Sequence, residues 1–429
     1  MKALRIAIAG LGTVGAGVVQ LVQQNKNLIS TRAGQPVQIV AVSARDKKKP
    51  RTCNLDGMLW FDDPRQLAVM PEADVVVEVI GGADGIAKEI CEAALSNGKH
   101  VVTANKAMMA THGVGLAQLA EAQNKQLMFE AAVAGGVPII KALREGLAGN
   151  EIEEVQGILN GTCNYILTRM QEAKLDFESA LKEAQGLGYA EANPAADIDG
   201  HDTAHKLTLL TALAFGVKPD LSAIKMDGIR HITSADLQFA ADLNYRIKLL
   251  GVSRMAAFGL EQRVGPCLVP MTSPLSNVQG VLNAVQVLGN AVGSVMLSGA
   301  GAGAGPTATA IVADLVDIAR GSNMRVFSMP VIQLRSQMSV IPDKCISGWY
   351  VRVQVKDQPG IISEISTILR DEAISIESLL QYGCSDTDSV PVVLITHEVS
   401  ETVIKRAMAR IVKLSAVKEK PCCLRIEKH

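Results

Sequence analysis

Lys206 stands four residues after Asp202, a spacing that on a helix puts an ammonium and a carboxylate on one face. Glu191 precedes them in the run Gly188-Tyr189-Ala190-Glu191, and another lysine closes the run Val102-Thr103-Ala104-Asn105-Lys106. Carboxylates such as Glu191 and Asp202 can pair with the ammonium of a small substrate. A lysine such as Lys206 can meet a developing oxyanion and hand it a proton. Taken alone, Asp202 and Lys206 read equally well as a solvated ion pair worth ~0.3–0.5 kcal/mol. His201 and His205 lie in the same stretch but have no partners at metal-ligand spacing, and read as packing or surface residues.

These groups need a scaffold, and the first part of the chain supplies one. An apolar strand at Leu4–Ala9 runs into Gly10-Leu11-Gly12-Thr13-Val14-Gly15 and then a helix through about Gln24. A glycine fingerprint between a strand and a helix is the context that dinucleotide binding requires. Gly10 permits the tight turn, Gly12 lets the backbone approach a pyrophosphate, and Gly15 allows close packing of helix on strand. Further apolar runs follow at Val37–Val42, 74–80, 100–103 and 126–129, separated by helical stretches at Ile86–Asn97 and Val114–Asn124. Strands without polar alternation, spaced by helices, predict a parallel sheet covered on both faces. Lys106 then falls at the carboxyl end of a strand, where ligands of such sheets bind. The second strand ends Val42-Ser43-Ala44-Arg45-Asp46-Lys47-Lys48-Lys49. Arg45 suits a ribose 2′-phosphate, which favours NADPH with NADH tolerated; Asp46 leaves NAD open, and a solvated basic loop is the plain alternative.

Composition narrows the rest. The 429 residues suggest two or three domains, and 42 Lys+Arg against 43 Asp+Glu give a charge of -1, without the basic footprint of a nucleic-acid binder. The run Val264–Ala313 has no charged residue or histidine but is broken by prolines and polar residues, so it reads as buried sheet shared between subunits of a homodimer or homotetramer, not as a membrane span. Eight cysteines (53, 91, 163, 267, 345, 384, 422, 423) form no C-x-x-C pair and read as reduced thiols of a cytoplasmic protein without a signal peptide. From about Ala131 to Gln337 the pattern is mixed α+β, with helices at Asp176–Gln185 and Asp202–Phe215 and strands at Val281–Val287 and Val326–Ser328. After Ile341-Pro342-Asp343 a strand at Trp349–Val355, the turn Asp357-Gln358-Pro359-Gly360, a helix at Ile361–Asp371, strands at Ile374–Gln381 and Val390–His397, a helix opened by Ser400 and a strand near Cys422–Ile426 give the ferredoxin-like order, read as an independent small domain.

In order along the chain, the glycine fingerprint, Thr103-Ala104-Asn105-Lys106, Leu159-Asn160-Gly161-Thr162-Cys163-Asn164-Tyr165-Ile166, Gly188–Glu191 with Asp202 and Lys206, and Gly303-Ala304-Gly305-Pro306-Thr307 resemble homoserine dehydrogenase over residues 1–335. The tail from about 348 resembles an ACT domain, as in the bacterial monofunctional form of that family, with no kinase-like segment ahead of it. The resemblance implies a Rossmann NAD(P)-binding domain over 1–130, a catalytic and dimerisation domain over 131–340 that returns to the first near 305–335, and an ACT regulatory domain over 348–429. It implies reversible NAD(P)H-dependent reduction of L-aspartate 4-semialdehyde to L-homoserine in threonine and methionine biosynthesis, with feedback by L-threonine at the ACT domain. Lys206 and Lys106 would be catalytic. Gly188, Glu191 and Asp202 would hold substrate. Gly10 to Gly15, Arg45, Thr103, Lys106 and Gly305 would hold cofactor. A structural Na+ would fall on Glu130, Val133, Gly135 and Val137. Two other readings stay open: another Rossmann-fold amino-acid dehydrogenase, and a non-catalytic nucleotide or amino-acid sensor.

Overall fold

A computed structural model describes residues 2–256, 259–336, 345–381 and 389–427. The chain forms two units: Met1–Gly161 with Asp202–Ile224 and Val281–Gln337, and Thr162–His201 with Lys225–Gly280 and Met338–His429. The expected boundaries at Gln337 and 340, the start at Ile341-Pro342-Asp343, and Cys384 fall outside the described residues.

The first unit is built on a six-stranded sheet ordered Leu59–Phe61, Val37–Ser43, Leu4–Ala9, Val75–Glu78, His100–Thr103, Leu127–Met128. Every neighbouring pair is parallel. Ile6, Ile8, Val75, Val77 and Val102 are buried in one core with Val18, Val19 and Val22 of helix Thr13–Gln24, which explains the unbroken apolar runs. Strand order reverses beside Leu4–Ala9, and there the glycines are needed. Gly10 has φ +106°, and a Cβ on Gly15 would sit 1.9 Å from the Gly10 carbonyl oxygen. Helix Ala304–Ala319 contributes Ile311 and Leu315 to the same core; it lies so close that a Cβ on Gly17 would meet the Ala304 carbonyl at 2.9 Å. An antiparallel sheet of Ile152–Ile158, Leu282–Gly289 and Gly293–Ala300, and residues 202–215 of helix His201–Phe215, complete this unit.

Several expectations shift. Helix Lys106–Ala122 begins well before Val114, because Asn105 caps it by accepting from the Met108 amide. A helix at Lys26–Ala33 and a strand at Leu59–Phe61 lie in two stretches to which the sequence pattern assigned no element. Val326–Ser328 is a turn, not a strand: Ser328 takes φ 64° while Phe327 is buried against Phe129, so its apolar character marks a plug rather than a strand.

In the second unit, strands Tyr245–Ala256 and Gly259–Pro270 pair antiparallel. The ferredoxin-like elements follow as strand Ile346–Lys356, helix Ile361–Asp371, strands Ile376–Gln381 and Ser389–Ser400, helix Glu401–Ile411 and strand Cys422–Ile426. Val351, Val353 and Val355 meet Ile365, Leu369, Ile404 and Ile411 in a core between sheet and helices. This segment is not independent, as its element order alone suggested. Strand Cys422–Ile426 pairs in parallel with Gly259–Pro270, so one sheet runs through both. Buried charges reinforce the join: Asp236, fully buried, accepts from Tyr350 Oη at 2.9 Å and Arg352 Nε at 2.7 Å. Arg425 bridges Glu261 at 2.7 Å and Glu401 at 2.6 Å.

Candidate active site

The sequence places Lys106 by a relay of buried polar side chains. Glu78 ends a strand otherwise made of valine; one carboxylate oxygen accepts from the Ile80 and Gly81 amides and the other from Thr103 Oγ1 at 2.6 Å. Thr103 Oγ1 in turn accepts from the Asn105 amide, and Asn105 Nδ2 donates to the Gly82 carbonyl at 2.6 Å. Asn105 therefore fixes where the helix starts, and Lys106 is its first residue. Thr103 is fully buried in this relay.

Asp202 is the meeting point. Lys106 Nζ lies 3.0 Å from Asp202 Oδ1, and Lys206 Nζ lies 2.7 Å from Oδ2. Asn160 Nδ2 also donates to Oδ2 at 2.9 Å, and Lys206 donates to the Leu159 carbonyl at 2.6 Å. Side-chain exposures of 11% for Asp202 and 12% for Lys206, against 38% for Lys106, set aside the solvated-pair reading. Burial pushes the Asp202 carboxyl up, but Lys206, Lys106 and the Asn160 hydrogen bond outweigh it and hold the group well below the usual carboxylate range. Two of the three donors of Lys206 go to Leu159 and Asp202, which orients the ammonium and leaves a third N–H for a ligand oxygen. Because Lys106 follows strand His100–Thr103, the cluster stands at the carboxyl edge of the parallel sheet, the ligand edge of such folds.

Asn160, the Leu159 carbonyl and Glu78 are the groups that residue-type reasoning did not single out. An acid at the end of an apolar strand was the signal for Glu78. Asn160 could be found only through its motif, since its partner is remote in sequence. Gly188 and Glu191 belong to the second unit. Gly188 takes φ +75°, the Tyr189 carbonyl accepts from Thr162 Oγ1 at 2.6 Å, and exposed Glu191 has its carbonyl held by Gln185 Nε2 at 3.1 Å.

For a dinucleotide the residues fit. A Cβ on Gly12 would meet nothing within 4 Å, so the turn is open above it, and helix Thr13–Gln24 starts with no side-chain cap and no acid in its first turn. Its N-terminus thus offers amides and positive potential to a pyrophosphate. Thr13 is exposed there, while Leu11 and Val14 pack inward. Arg45 is exposed, and Asp46 Oδ1 accepts from the Lys48 amide at 2.8 Å, turned into its own loop. Gly305 is exposed beside Ala304, the residue that touches Gly17.

The Glu130–Val137 segment fits a main-chain cation site in kind. Ala134 and Gly135 are both left-handed, at φ 53° and 45°, curling a buried stretch tightly. The Glu130 carboxylate accepts the Ile140 and Lys141 amides at 2.9 and 2.8 Å, so it shapes the loop that would present main-chain oxygens. Burial and the Asp314 carboxylate push Glu130 up to about 7. Among the described residues no set of His, Cys, Asp and Glu side chains is grouped as a metal site, and no helix is long and apolar enough to cross a membrane. The described cysteines are all free thiols.

A parallel sheet with a glycine crossover at its order reversal, and lysines gathered on one carboxylate at its ligand edge, define an NAD(P)-dependent oxidoreductase. Residues 10–130 match the family model for the homoserine dehydrogenase NAD-binding domain, 138–316 the homoserine dehydrogenase model, and 349–416 the ACT domain model. The chain belongs to the homoserine dehydrogenase family. It is 45% identical to homoserine dehydrogenase of Neisseria gonorrhoeae, with 100% of this chain and 99% of the relative covered. For the Pseudomonas aeruginosa enzyme the identity is 43%, again over 100% and 99%. The crystal structure of a homoserine dehydrogenase from Thiobacillus denitrificans superposes with a TM-score of 0.92 at 41% identity, covering 99% of this chain and 98% of that one.

Proposed function

We propose that the protein interconverts L-aspartate 4-semialdehyde and L-homoserine, preferring NADPH to NADH, and that L-threonine inhibits it through the ACT segment. The observation that carries the catalytic reading is the Asp202 carboxylate shared by Lys106 and Lys206. The bound dinucleotide supplies the hydride for the aldehyde carbon. Lys206 gives its third N–H to the carbonyl oxygen and delivers the proton as that oxygen becomes a hydroxyl; Lys106 adds positive potential. In the reverse direction the same amine, neutral, takes the hydroxyl proton. Asp202 keeps both amines in place and can share its negative charge with a substrate ammonium. Gly188 and Glu191 are assigned to substrate on the family resemblance. The NADPH preference is supported by exposed Arg45 and by Asp46 being turned onto the Lys48 amide.

A cavity of about 250 Å³ at the Asp357–Gly360 turn, bordered by Ile361, Ser363 and Gln381, supports a small amino-acid effector. Glu130, Val133, Gly135 and Val137 would hold Na+ as a structural ion. A homodimer or homotetramer is supported by strand Gly293–Ala300, which sits at a sheet edge beside exposed Val292 and Leu282. The test is NADPH oxidation with aspartate semialdehyde, with and without L-threonine. Turnover that threonine suppresses is expected. Absence of turnover contradicts the substrate assignment, and indifference to threonine contradicts the effector.

A further inference from the structure

Arg51 has no part in the chemistry above, yet its guanidinium joins two loops at the adenosine end of the dinucleotide fold. Nε donates to the Leu11 carbonyl at 3.4 Å, Nη1 to the carbonyls of Lys49 and Lys47 at 2.9 and 3.4 Å, and Nη2 to that of Asp46 at 2.5 Å. Leu11 lies in the glycine turn; Asp46 to Lys49 form the basic loop after the second strand. The guanidinium carbon stands 5.2 Å from the Trp60 ring centroid, and the Lys47 ammonium 5.9 Å from the same ring. Trp60 is fixed by its strand, which pairs it with Val42.

Four exposed cations at positions 45, 47, 48 and 49 repel one another, and a loop bearing them splays unless something gathers its backbone. Drawing three of its carbonyls onto one guanidinium does so, and ties the loop to the turn that faces the pyrophosphate. We propose that Arg51 is the positioning residue that sets recognition of a ribose 2′-phosphate at this site. Braced by Trp60, it holds the 46–49 loop against Leu11 so that Arg45 meets the phosphate, and it acts through main-chain geometry, not through its charge. This rests on the NADPH reading. A lysine at 51 keeps the charge but cannot span four carbonyls, since a single ammonium lacks the planar fork.

The test is calorimetric titration of the intact protein with adenosine 2′,5′-bisphosphate and with adenosine 5′-monophosphate, for wild type, Arg45→Met, Arg51→Met and Arg51→Lys. Thermal unfolding checks that each variant is folded, and the rate of tryptic cleavage at Lys47 and Lys48 reads loop order. Wild type is expected to prefer the bisphosphate by roughly tenfold or more, a preference lost in Arg45→Met. Both Arg51 variants should weaken bisphosphate binding roughly tenfold and accelerate cleavage of the loop. If Arg51→Lys keeps wild-type bisphosphate affinity and cleavage rate, Arg51 works as a charge alone and the inference is overturned. If Arg45→Met keeps the bisphosphate preference, it is the underlying NADPH reading that fails, whatever Arg51 does.

Discussion

Two carboxylates, Asp202 in the first unit with an 11% exposed side chain and Asp236 in the second, fully buried, are each held by basic side chains, but of different kinds. Asp236 is fully buried and accepts from Arg352, Tyr350 and Thr233, with a guanidinium that cannot lose its proton. Asp202 faces two amines, one of them 38% exposed, and an amine can give up a proton. A saturated arginine pair is a joint; a carboxylate between two amines, one of them open to solvent, is what the proposed function takes as a site. Burial and ion pairing alone do not separate the two, whereas the acidity and accessibility of the cation do.

That contrast can be broken by mutation. Asp202→Asn should free both lysines from their anchor and lower kcat/KM by roughly 100-fold or more, with the melting temperature little changed. Loss of folding instead of turnover would make Asp202 a joint like Asp236. Arg352→Met should do the reverse. It strands a buried carboxylate at a cost of about 3–5 kcal/mol, measured by denaturant unfolding, and a cost under ~1 kcal/mol would contradict the structural role. Removing everything after residue 337 is, for the same reason, a poor test of regulation, since it also strips Asp236 and Glu261 of partners.

The smallest effect concerns acid. Burial pushes Glu401 up, but Lys405, Arg425 and Lys225 together bring it down to about 2, below its ordinary 4.5. Its stabilisation is therefore complete above about pH 4.5 and disappears as pH falls toward 2, on the order of 1–2 kcal/mol after solvent screening. Glu401→Gln should flatten the stability-against-pH curve in that window and leave the slope above pH 5 alone. An unaltered acid limb would show that Glu401 is not tightly paired.

The parallel sheet was legible because its strands are buried on both faces and its glycines serve one geometry; a side chain at Gly15 cannot coexist with the Gly10 carbonyl. Lys106, Asp202 and Lys206 were legible as residue types, and their motifs tied them to a family. Three things were not. The start of the Lys106 helix depended on a cap, Asn105, embedded in a run that reads as strand end. The continuity of the ferredoxin-like segment with strand Gly259–Pro270 depended on pairing between residues more than 150 apart, such as Cys267 with Arg425. Arg51 carried no signal at all, because four backbone carbonyls converging on a guanidinium leave no mark in sequence.

The central claim is that Lys206 moves the proton. Single-turnover reduction of aspartate semialdehyde by Lys206→Met, at saturating NADPH and with cofactor affinity measured separately, tests it most directly. The expected result is a fall in the rate of roughly 10²–10⁴-fold with NADPH affinity within about threefold of wild type. A rate equal to wild type would contradict it.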